Sequence, residues 1–219
     1  MFLHGYLACK ETFLAQIEYF SRFYRVTAVD FVGFGQSGRL KAPFSVGDYA
    51  EWLQEVLELL TVKNPHVIAH SFGCRVAVKA AGTGLFPMQK LILTGPAGVV
   101  LRRGLRYRYK VASYRFCRRF APRFAEKHFG SAEYRGLSPM MKESYKKIVN
   151  EDLLGCARMV QNPVLIVEGR EDKVTPRRAA EAYLAAFPQA KMQMIEGGHF
   201  AFMEDPLAFN LLAEEFLNG

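Results

Sequence analysis

A serine, an aspartate and a histidine each follow a short apolar segment in this sequence, and together these residue types can form a nucleophilic catalytic site. Ser71 lies in Ala-His-Ser-Phe-Gly, Asp172 in Glu-Gly-Arg-Glu-Asp and His199 in Glu-Gly-Gly-His. A serine hydroxyl attacks a carbonyl carbon only when a base accepts its proton, and an imidazole oriented by a carboxylate is a common base. The pattern therefore favours Ser71 as nucleophile, His199 as general base and Asp172 as the group that orients the histidine.

The Ser71 pentapeptide has the composition of a sharp turn between a strand and a helix. Small residues, Ala69 and Gly73, lie two positions before and two positions after the serine, where they allow a strained backbone to pack. Ala69 replaces the first glycine of the Gly-x-Ser-x-Gly pattern, and a methyl group still fits there. The apolar stretch Cys74–Ala81 that follows predicts a helix, in which Cys74 is interpreted as a packing residue.

Other carboxylates and histidines compete for the same functions. Asp30 also follows a predicted strand, but it precedes a turn-rich stretch in which an aspartate more often braces a loop. Glu171 is adjacent to Asp172 and is the harder competitor to exclude. His66 and His128 have no paired glycines before them, and this leaves His199 as the favoured base.

Backbone N–H groups are expected to bind the negatively charged oxygen of a tetrahedral intermediate. Phe72, directly after the nucleophile, and Tyr6, after a His-Gly step, are the predicted donors. His4 is expected mainly to order the Tyr6 loop through hydrogen bonds. The residues expected to line the substrate site are His4, Gly5, His70 and Phe200.

These residues need a scaffold that brings distant segments of the chain together. Short apolar or β-branched runs alternate with amphipathic stretches such as Val46–Leu60 and Arg178–Phe187, which have helical spacing. The predicted strands are Val26–Asp30, His66–His70, Leu91–Thr94, Val164–Val167 and Met192–Ile195. This alternation predicts a doubly wound, mostly parallel α/β sheet, whose strands share one carboxyl edge.

A basic segment interrupts the alternation of strands and helices. The chain of 219 residues, half of them hydrophobic, is expected to form one domain, with a core of residues 1–98 and 156–219 and a helical cap of residues 99–155. Residues 101–150 contain 14 Lys or Arg and 3 Asp or Glu. Such charge can attract anionic lipid or an acidic substrate, although a solvated face is the commoner explanation. No recognised nucleic-acid-binding module is present, and a nucleic-acid partner is not expected.

Cysteine usage and hydropathy argue against several classes of protein. The four cysteines show neither Cys-x-x-Cys spacing nor clustering with histidine, so no zinc site and no disulfide framework are expected. The chain has no secretory leader pattern at its start and no apolar run long enough to span a membrane. We therefore expect a soluble, cytoplasmic protein.

The order and content of these segments resemble the α/β-hydrolase family from Met1 to Leu217, with only residues 99–155 lacking a family pattern. The matching pieces are Phe2–Gly5, Val29–Gly38, His70–Gly73, Val164–Asp172 and Gly198–Pro206. The resemblance implies serine hydrolysis of an ester, amide, thioester or activated carbon–carbon bond, without a metal or an organic cofactor. Family members with an aspartate nucleophile, such as dehalogenases and epoxide hydrolases, are excluded by Ser71.

The beginning of the chain departs from the family pattern. Family members usually carry two strands before the His-Gly strand, whereas this chain begins inside that strand. Either the start is truncated or the sheet lacks its first edge. In the second case Val26–Asp30 is an exposed edge strand, and homodimerisation or aggregation is expected.

The leading functional expectation is a carboxylic-ester hydrolase that forms an acyl-enzyme on Ser71 with a small or medium acyl group. Carbon–carbon bond hydrolases and peptidases use the same triad and stay open as alternatives. The basic, tyrosine-rich cap adds lysophospholipid or monoacylglycerol hydrolysis, with anionic lipid as a partner. The other class is a non-catalytic scaffold that binds a ligand without turnover.

Overall fold

A parallel sheet of six strands forms the centre of the protein. The structure, a computed structural model, describes residues 1–101, 134 and 136–219. The strand order in these residues is β2-β1-β3-β4-β5-β6, and every neighbouring pair is parallel. The strands are β1 (Phe2–Leu3), β2 (Ala28–Val29), β3 (Val67–His70), β4 (Leu91–Thr94), β5 (Val164–Gly169) and β6 (Ala190–Ile195). The predicted parallel α/β sheet is therefore confirmed.

Helices cover both faces of the sheet. After a 3-10 turn at Lys10–Phe13, the described helices are α1 (Leu14–Phe20), α2 (Val46–Leu59), α3 (Phe72–Thr83), α4 (Pro139–Asn150), α5 (Leu154–Met159), α6 (Arg177–Ala186), α7 (Ala201–Glu204) and α8 (Pro206–Asn218). Local sequence fixes several of their starts. A capping box between Ser45 and Asp48 begins α2, and the Asp205 side chain accepts a bond from the Ala208 N–H at the start of α8.

The alternating side chains of the central strands form two cores. In β4, Leu91 and Leu93 belong to one core and Ile92 belongs to the other. The first core also contains buried residues of α2, α3 and α6, and the second contains buried residues of α1 and α8. Strands buried on both faces read as continuous apolar runs, which is why β3, β4 and β5 were recognisable in the sequence.

The register of the strands places three loops at one carboxyl edge. His70 of β3 pairs with Thr94 of β4, and Thr94 pairs with Val167 of β5. The Ser71 N–H donates to the Thr94 carbonyl at 3.1 Å, and the Gly95 N–H donates to the Val167 carbonyl at 3.1 Å. Gly169 of β5 pairs in turn with Ile195 of β6, so the segments after β3, β5 and β6 leave the sheet at the same carboxyl edge.

Helix α4 joins part of the predicted cap region to the core. Arg75 of α3 donates from Nη1 to the Ile148 carbonyl at 2.7 Å and to the Glu151 carbonyl at 3.0 Å. The Phe44 N–H donates to the buried Ser144 hydroxyl at 2.9 Å. Most of the basic, helical cap predicted for residues 99–155 lies outside the described residues.

Strand β2 lies at one end of the sheet within the described ranges. It contains only Ala28–Val29, whereas the sequence pattern predicted a strand over Val26–Asp30. Dimerisation through this edge stays a prediction. In the part of the chain that the structure describes, no helix combines the length and the apolar character needed to cross a membrane.

Candidate active site

Ser71 occupies a strained turn between β3 and α3. Its φ of 48° and ψ of −104° place a non-glycine residue in the positive-φ region, which costs about 1–3 kcal/mol. The turn needs Gly73, because a Cβ atom there would lie 2.3 Å from the Leu3 carbonyl oxygen. The Ser71 side chain makes no capping bond to α3. The hydroxyl is therefore not used to cap the helix.

Phe72 and Tyr6 supply the main-chain segments expected to bind an oxyanion. Phe72 is the first residue of α3, where helical N–H groups have no partner inside the helix and the helix dipole favours negative charge. Tyr6 lies in the loop after β1, beside Leu7, which has a φ of 57°. A Cβ atom on Gly5 would lie 2.8 Å from His70 Nδ1. Gly5 therefore allows the loop to approach the end of β3.

Asp172 and His199 form a close pair at the carboxyl ends of β5 and β6. His199 Nδ1 lies 2.7 Å from Asp172 Oδ2, and the side chains are 10% and 1% exposed. Because a carboxylate only accepts, Nδ1 carries the hydrogen, and in the neutral form of the ring Nε2 has the lone pair. This is the tautomer that a general base needs, and the adjacent Glu171 is exposed and makes no such contact.

The carboxylate of Asp172 is held in its charged form. Burial favours the neutral acid, but hydrogen bonds from His199 and Thr175 outweigh this effect and lower the pKa of Asp172 to about 2. The Val174 and Thr175 N–H groups donate to Oδ1 at 2.7 and 3.0 Å. Asp172 therefore remains an acceptor for the His199 ring throughout the neutral range.

Thr175 and Gly95 complete this pair and were missed by sequence reasoning. The Thr175 hydroxyl donates to Asp172 Oδ2 at 2.7 Å and lies 3.2 Å from His199 Nδ1. A Cβ atom on Gly95, whose φ is +52°, would lie 3.0 Å from His199 Nδ1 and 3.3 Å from Asp172 Oδ2. The position of Gly95 directly after a predicted strand was a signal that could have identified it.

His70 supports the backbone of His199. Its Nε2 atom lies 3.0 Å from the His199 carbonyl oxygen, which only accepts, so Nε2 is the donor. Burial, together with the nearby His199 ring, lowers the pKa of His70 to about 3 and keeps the ring neutral. His70 is 1% exposed, which fits a positioning function better than the expected substrate contact. Phe200 is 40% exposed, and its ring centroid lies 4.8 Å from that of His70.

His4 orders the loop that carries Tyr6. The Phe31 N–H donates to His4 Nε2 at 3.0 Å, and Nδ1 donates to the Gly5 carbonyl at 2.7 Å. Both ring nitrogens are therefore satisfied by main chain, and the residue is fully buried. This arrangement fits the loop-ordering interpretation and does not place His4 among residues that touch substrate.

Asp30 braces the same region. Its carboxylate accepts from the Lys10 N–H at 2.7 Å, the Lys10 ammonium at 2.9 Å and the Gln36 N–H at 2.9 Å. Burial opposes ionisation of this carboxylate, but these bonds hold its pKa below the usual range. A Cβ atom on Gly35 would collide with the carboxyl group at 2.3 Å. The Asp30 carboxylate therefore stabilises the turn, which agrees with the loop-bracing function expected from the sequence.

Aromatic rings surround Tyr6. Its ring centroid lies 5.0 Å from that of Phe34, 5.6 Å from Phe72 and 5.3 Å from Tyr145 of α4, in edge-to-face arrangements. The Tyr6 hydroxyl donates to the Met141 carbonyl at 3.4 Å. One side of the candidate site is therefore apolar and aromatic, and α4 contributes to it.

Comparison with known proteins identifies the family of this fold. The family model for the alpha/beta hydrolase fold matches residues 1–206. The chain belongs to the α/β-hydrolase family. Its relatives include an uncharacterized protein of Mycobacterium tuberculosis, 26% identical over 231 residues, which cover 89% of this chain and 68% of the relative. The 2-hydroxymuconate semialdehyde hydrolase of Pseudomonas putida is 26% identical over 215 residues, which cover 88% of this chain and 76% of that enzyme.

A solved structure shows the same fold. The esterase from Exiguobacterium antarcticum superposes with a TM-score of 0.78 at 21% sequence identity, and the match covers 100% of this chain and 91% of that one.

The present chain has a cavity of about 380 Å³ at the amino ends of its strands. Phe2, His66 and Ile68 are among the residues that line it. That cavity is at the opposite end of the sheet from Ser71. Within residues 1–101, 134 and 136–219, no cluster of His, Cys, Asp or Glu could hold a metal ion.

Proposed function

We propose that this α/β hydrolase cleaves a carboxylic ester with a small or medium acyl group through an acyl-enzyme on Ser71. The observation that carries the proposal is the 2.7 Å contact between His199 and Asp172 at the sheet edge where Ser71 is held in a strained turn. A strained nucleophile and an oriented imidazole are the parts that acyl transfer requires.

In the first step, Ser71 Oγ attacks the ester carbonyl carbon while His199 Nε2 accepts the hydroxyl proton. The positive charge that develops on the imidazole is stabilised by Asp172, which keeps its own negative charge. The carbonyl oxygen becomes an oxyanion, for which the N–H groups of Phe72 and Tyr6 are the donors. Collapse of this intermediate breaks the ester C–O bond, and His199 gives its proton to the departing alkoxide.

In the second step, a water molecule replaces the alcohol. His199 Nε2 accepts a proton from the water as the oxygen attacks the acyl carbon. The second oxyanion collapses, the bond between Ser71 Oγ and the acyl carbon breaks, and the serine oxygen recovers its proton from His199. The products are a carboxylic acid and an alcohol, and no oxidant or reductant is consumed.

The surroundings of Tyr6 support an apolar acyl group. The rings of Phe34, Phe72 and Tyr145 surround the Tyr6 ring, and burial raises the pKa of the Tyr6 hydroxyl. An acyl chain that enters here gains hydrophobic contact of about 25 cal/mol for each Å² of apolar surface buried.

A second candidate reaction is hydrolysis of an activated carbon–carbon bond. The observation in its favour is the sequence similarity to the 2-hydroxymuconate semialdehyde hydrolase of Pseudomonas putida. The same three side chains could serve this reaction, because it also needs a nucleophile, a base and a stabilised oxyanion.

The test is a comparison of kcat/KM across substrates that separate these chemistries. The panel contains nitrophenyl esters with acyl chains of about two to twelve carbons, a monoacylglycerol, a lysophospholipid and 2-hydroxymuconate semialdehyde, each assayed with the native chain and with Ser71→Ala. We expect the highest value for a short or medium ester and a loss of at least about 10³-fold in the variant. Turnover of the semialdehyde alone would favour the carbon–carbon reaction. No turnover of any compound by the folded protein would favour a ligand-binding scaffold.

A further inference from the structure

Glu168 is a buried carboxyl group that the proposed mechanism does not use. It lies in β5, four residues before Asp172, and is 1% exposed. Neither of its side-chain oxygens has a hydrogen-bond partner in the part of the chain that the structure describes. Burial of an unpaired carboxylate is very unfavourable, and such a group binds a proton instead.

The other two buried carboxylates near the candidate site are arranged differently. Asp30 accepts three bonds, one of them from a lysine ammonium, and Asp172 accepts bonds from main-chain N–H groups, Thr175 and His199. Both are therefore stabilised as anions. Glu168 has no such donors among the described residues, and this contrast indicates that the geometry at Glu168 suits the neutral acid.

Two titratable groups interact with Glu168 from the elements around it. Glu168 shares a sheet face with Val164 and Ile166, in the core that also contains Cys74 of α3. The Cys74 thiol donates to the Ala69 carbonyl at 3.1 Å, and burial, with a smaller effect from Glu168, raises its pKa. The other group is the Asp172 carboxylate, which interacts with Glu168 electrostatically. Glu168 therefore lies on the sheet face that packs against the core containing α3, one residue before the end of the strand from which the Asp172 loop leaves.

We propose that Glu168 is a positioning residue for the triad, which acts by keeping its proton. As a neutral acid it places no second negative charge against Asp172, so the carboxylate stays bonded to His199 and Thr175. As an anion it repels Asp172 and disturbs the orientation of the His199 ring. This inference rests on the proposed function, since it assumes that His199 activates Ser71.

The proposal makes the triad sensitive to alkaline pH. Burial and the nearby Asp172 charge raise the pKa of Glu168 to about 8. The reactivity of Ser71 should reach a plateau and then fall several-fold above about pH 8, as Glu168 loses its proton. A glutamine at position 168 cannot ionise, so its plateau should extend to higher pH.

The same proton has a consequence for stability that does not depend on catalysis. The pKa of Glu168 is raised on folding, so between about pH 4.5 and 8 the folded chain retains a proton that the unfolded chain has lost. The contribution of Glu168 to the free energy of unfolding therefore decreases as pH rises through that window and is constant above it. Glu168→Gln should remove this dependence.

The experiment measures the rate constant for labelling of Ser71 by a fluorophosphonate from pH 6 to 10. It compares the native chain with Glu168→Gln and with Glu171→Gln, a matched control because Glu171 is an exposed carboxylate in the loop that follows β5. We expect an alkaline decline in the native chain and the control, and no decline in Glu168→Gln. Identical profiles for all three proteins would overturn the proposal.

Urea unfolding from about pH 4.5 to 10, a range that includes the whole window in which the Glu168 contribution should change, separates this inference from the proposed function. Glu168→Met, which replaces the carboxyl with an apolar side chain of similar length, serves as a second variant if the glutamine does not fold. A native chain that is not labelled at any pH would overturn the proposed function and the positioning role together. A native chain that is labelled normally, but whose unfolding depends on pH in the same way as that of both variants, would overturn the inference about Glu168 alone.

Discussion

Among the described residues, two aspartate–histidine pairs lie at the carboxyl edge of the sheet, and they differ in whether a ring nitrogen is left available. In the first pair, His199 Nδ1 lies 2.7 Å from Asp172, and its Nε2 atom keeps its lone pair. In the second, His4 Nε2 lies 4.0 Å from Asp30 and accepts instead from the Phe31 N–H. Both pairs combine a buried carboxylate with an imidazole, so residue type and proximity alone do not identify a base.

The difference lies in what each group has already bound. His4 uses both ring nitrogens on main-chain atoms and is fully buried, whereas the His199 side chain is 10% exposed. Asp30 is paired with the Lys10 ammonium, whereas Asp172 directs its charge to a ring that can become cationic. A pair can serve as base and orienting group when one imidazole nitrogen is available and the carboxylate charge is not already balanced by a lysine.

The largest difference between the two pairs is expected when their histidines are substituted. His199→Ala removes the base and should lower kcat/KM by about 10⁴ to 10⁶-fold with little change in unfolding. His4→Gln should instead lower the free energy of unfolding by about 1–3 kcal/mol, because the Phe31 N–H loses a well-placed acceptor. Its kcat/KM should fall by no more than about 10²-fold, through displacement of the Tyr6 loop. The measurements are ester hydrolysis and urea unfolding of both variants. Equal losses of activity would contradict the predicted difference between the two histidines.

Substitution of the two aspartates should show the same difference, with the larger loss of activity in the pair that contains His199. Asp172→Asn lets the amide favour the wrong tautomer of His199 and should lower kcat by about 10⁴-fold. Asp30→Asn loses the Lys10 ion pair inside a turn, so its main effect should be on stability, with a decrease in kcat of less than about tenfold. Steady-state kinetics at neutral pH measures both. A greater loss of kcat in Asp30→Asn than in Asp172→Asn would contradict the assignment of the acid.

Thr175→Val should have an intermediate effect. It removes the hydroxyl bond to Asp172 Oδ2 and leaves the two main-chain bonds to Oδ1 in place. Loss of one bond to a charged group corresponds to about 1.5–3 kcal/mol, and we expect about a tenfold decrease in kcat with KM nearly unchanged. Thr175→Ser, which keeps the hydroxyl, should retain most of the activity, and a serine variant as impaired as the valine variant would argue against this contact.

The smallest effect concerns acid stability. The pKa of Asp172 is depressed on folding, so its stabilising contribution is present above about pH 4 and is lost as pH falls towards about 2. Allowing for partial solvent screening, this is about 1–2 kcal/mol. Unfolding at pH 6 and at pH 2.5 should show a smaller difference for Asp172→Asn than for the native chain. The same pH dependence in the two proteins would mean that Asp172 gains no such stabilisation on folding.

The sheet was predictable from the sequence because its central strands are buried on both faces. The runs at β3, β4 and β5 are continuously apolar, and parallel strands place the residues that follow them at one edge. Strand β6 starts at Ala190, two residues before the predicted start. It is the last strand of the described sheet and its exposure alternates, so it lacks the continuous apolar run that marks the central strands. Its start is fixed by pairing of Ala190 with Val164, which the chain pattern does not reveal.

The sequence could suggest candidate site residues only where a residue follows a strand in a recognisable loop. Ser71, Asp172 and His199 satisfied that condition. The choice between Asp172 and Glu171 depends on which side chain a tight loop directs towards β6, and the burial of His70 depends on the His199 loop folding over it. The buried state of Glu168 depends on packing between β5 and α3, and position in the sequence gives no sign that its oxygens lack partners.

The most direct test of the central claim is reaction of the folded chain with a fluorophosphonate at neutral pH, read by intact mass, with Ser71→Ala measured beside it. We expect one adduct on the native chain and none on the variant, since only a serine activated by an oriented imidazole reacts rapidly with such a reagent. An unlabelled native chain, or a variant that is labelled as fast as the native chain, would contradict the assignment of Ser71, His199 and Asp172 as a catalytic triad.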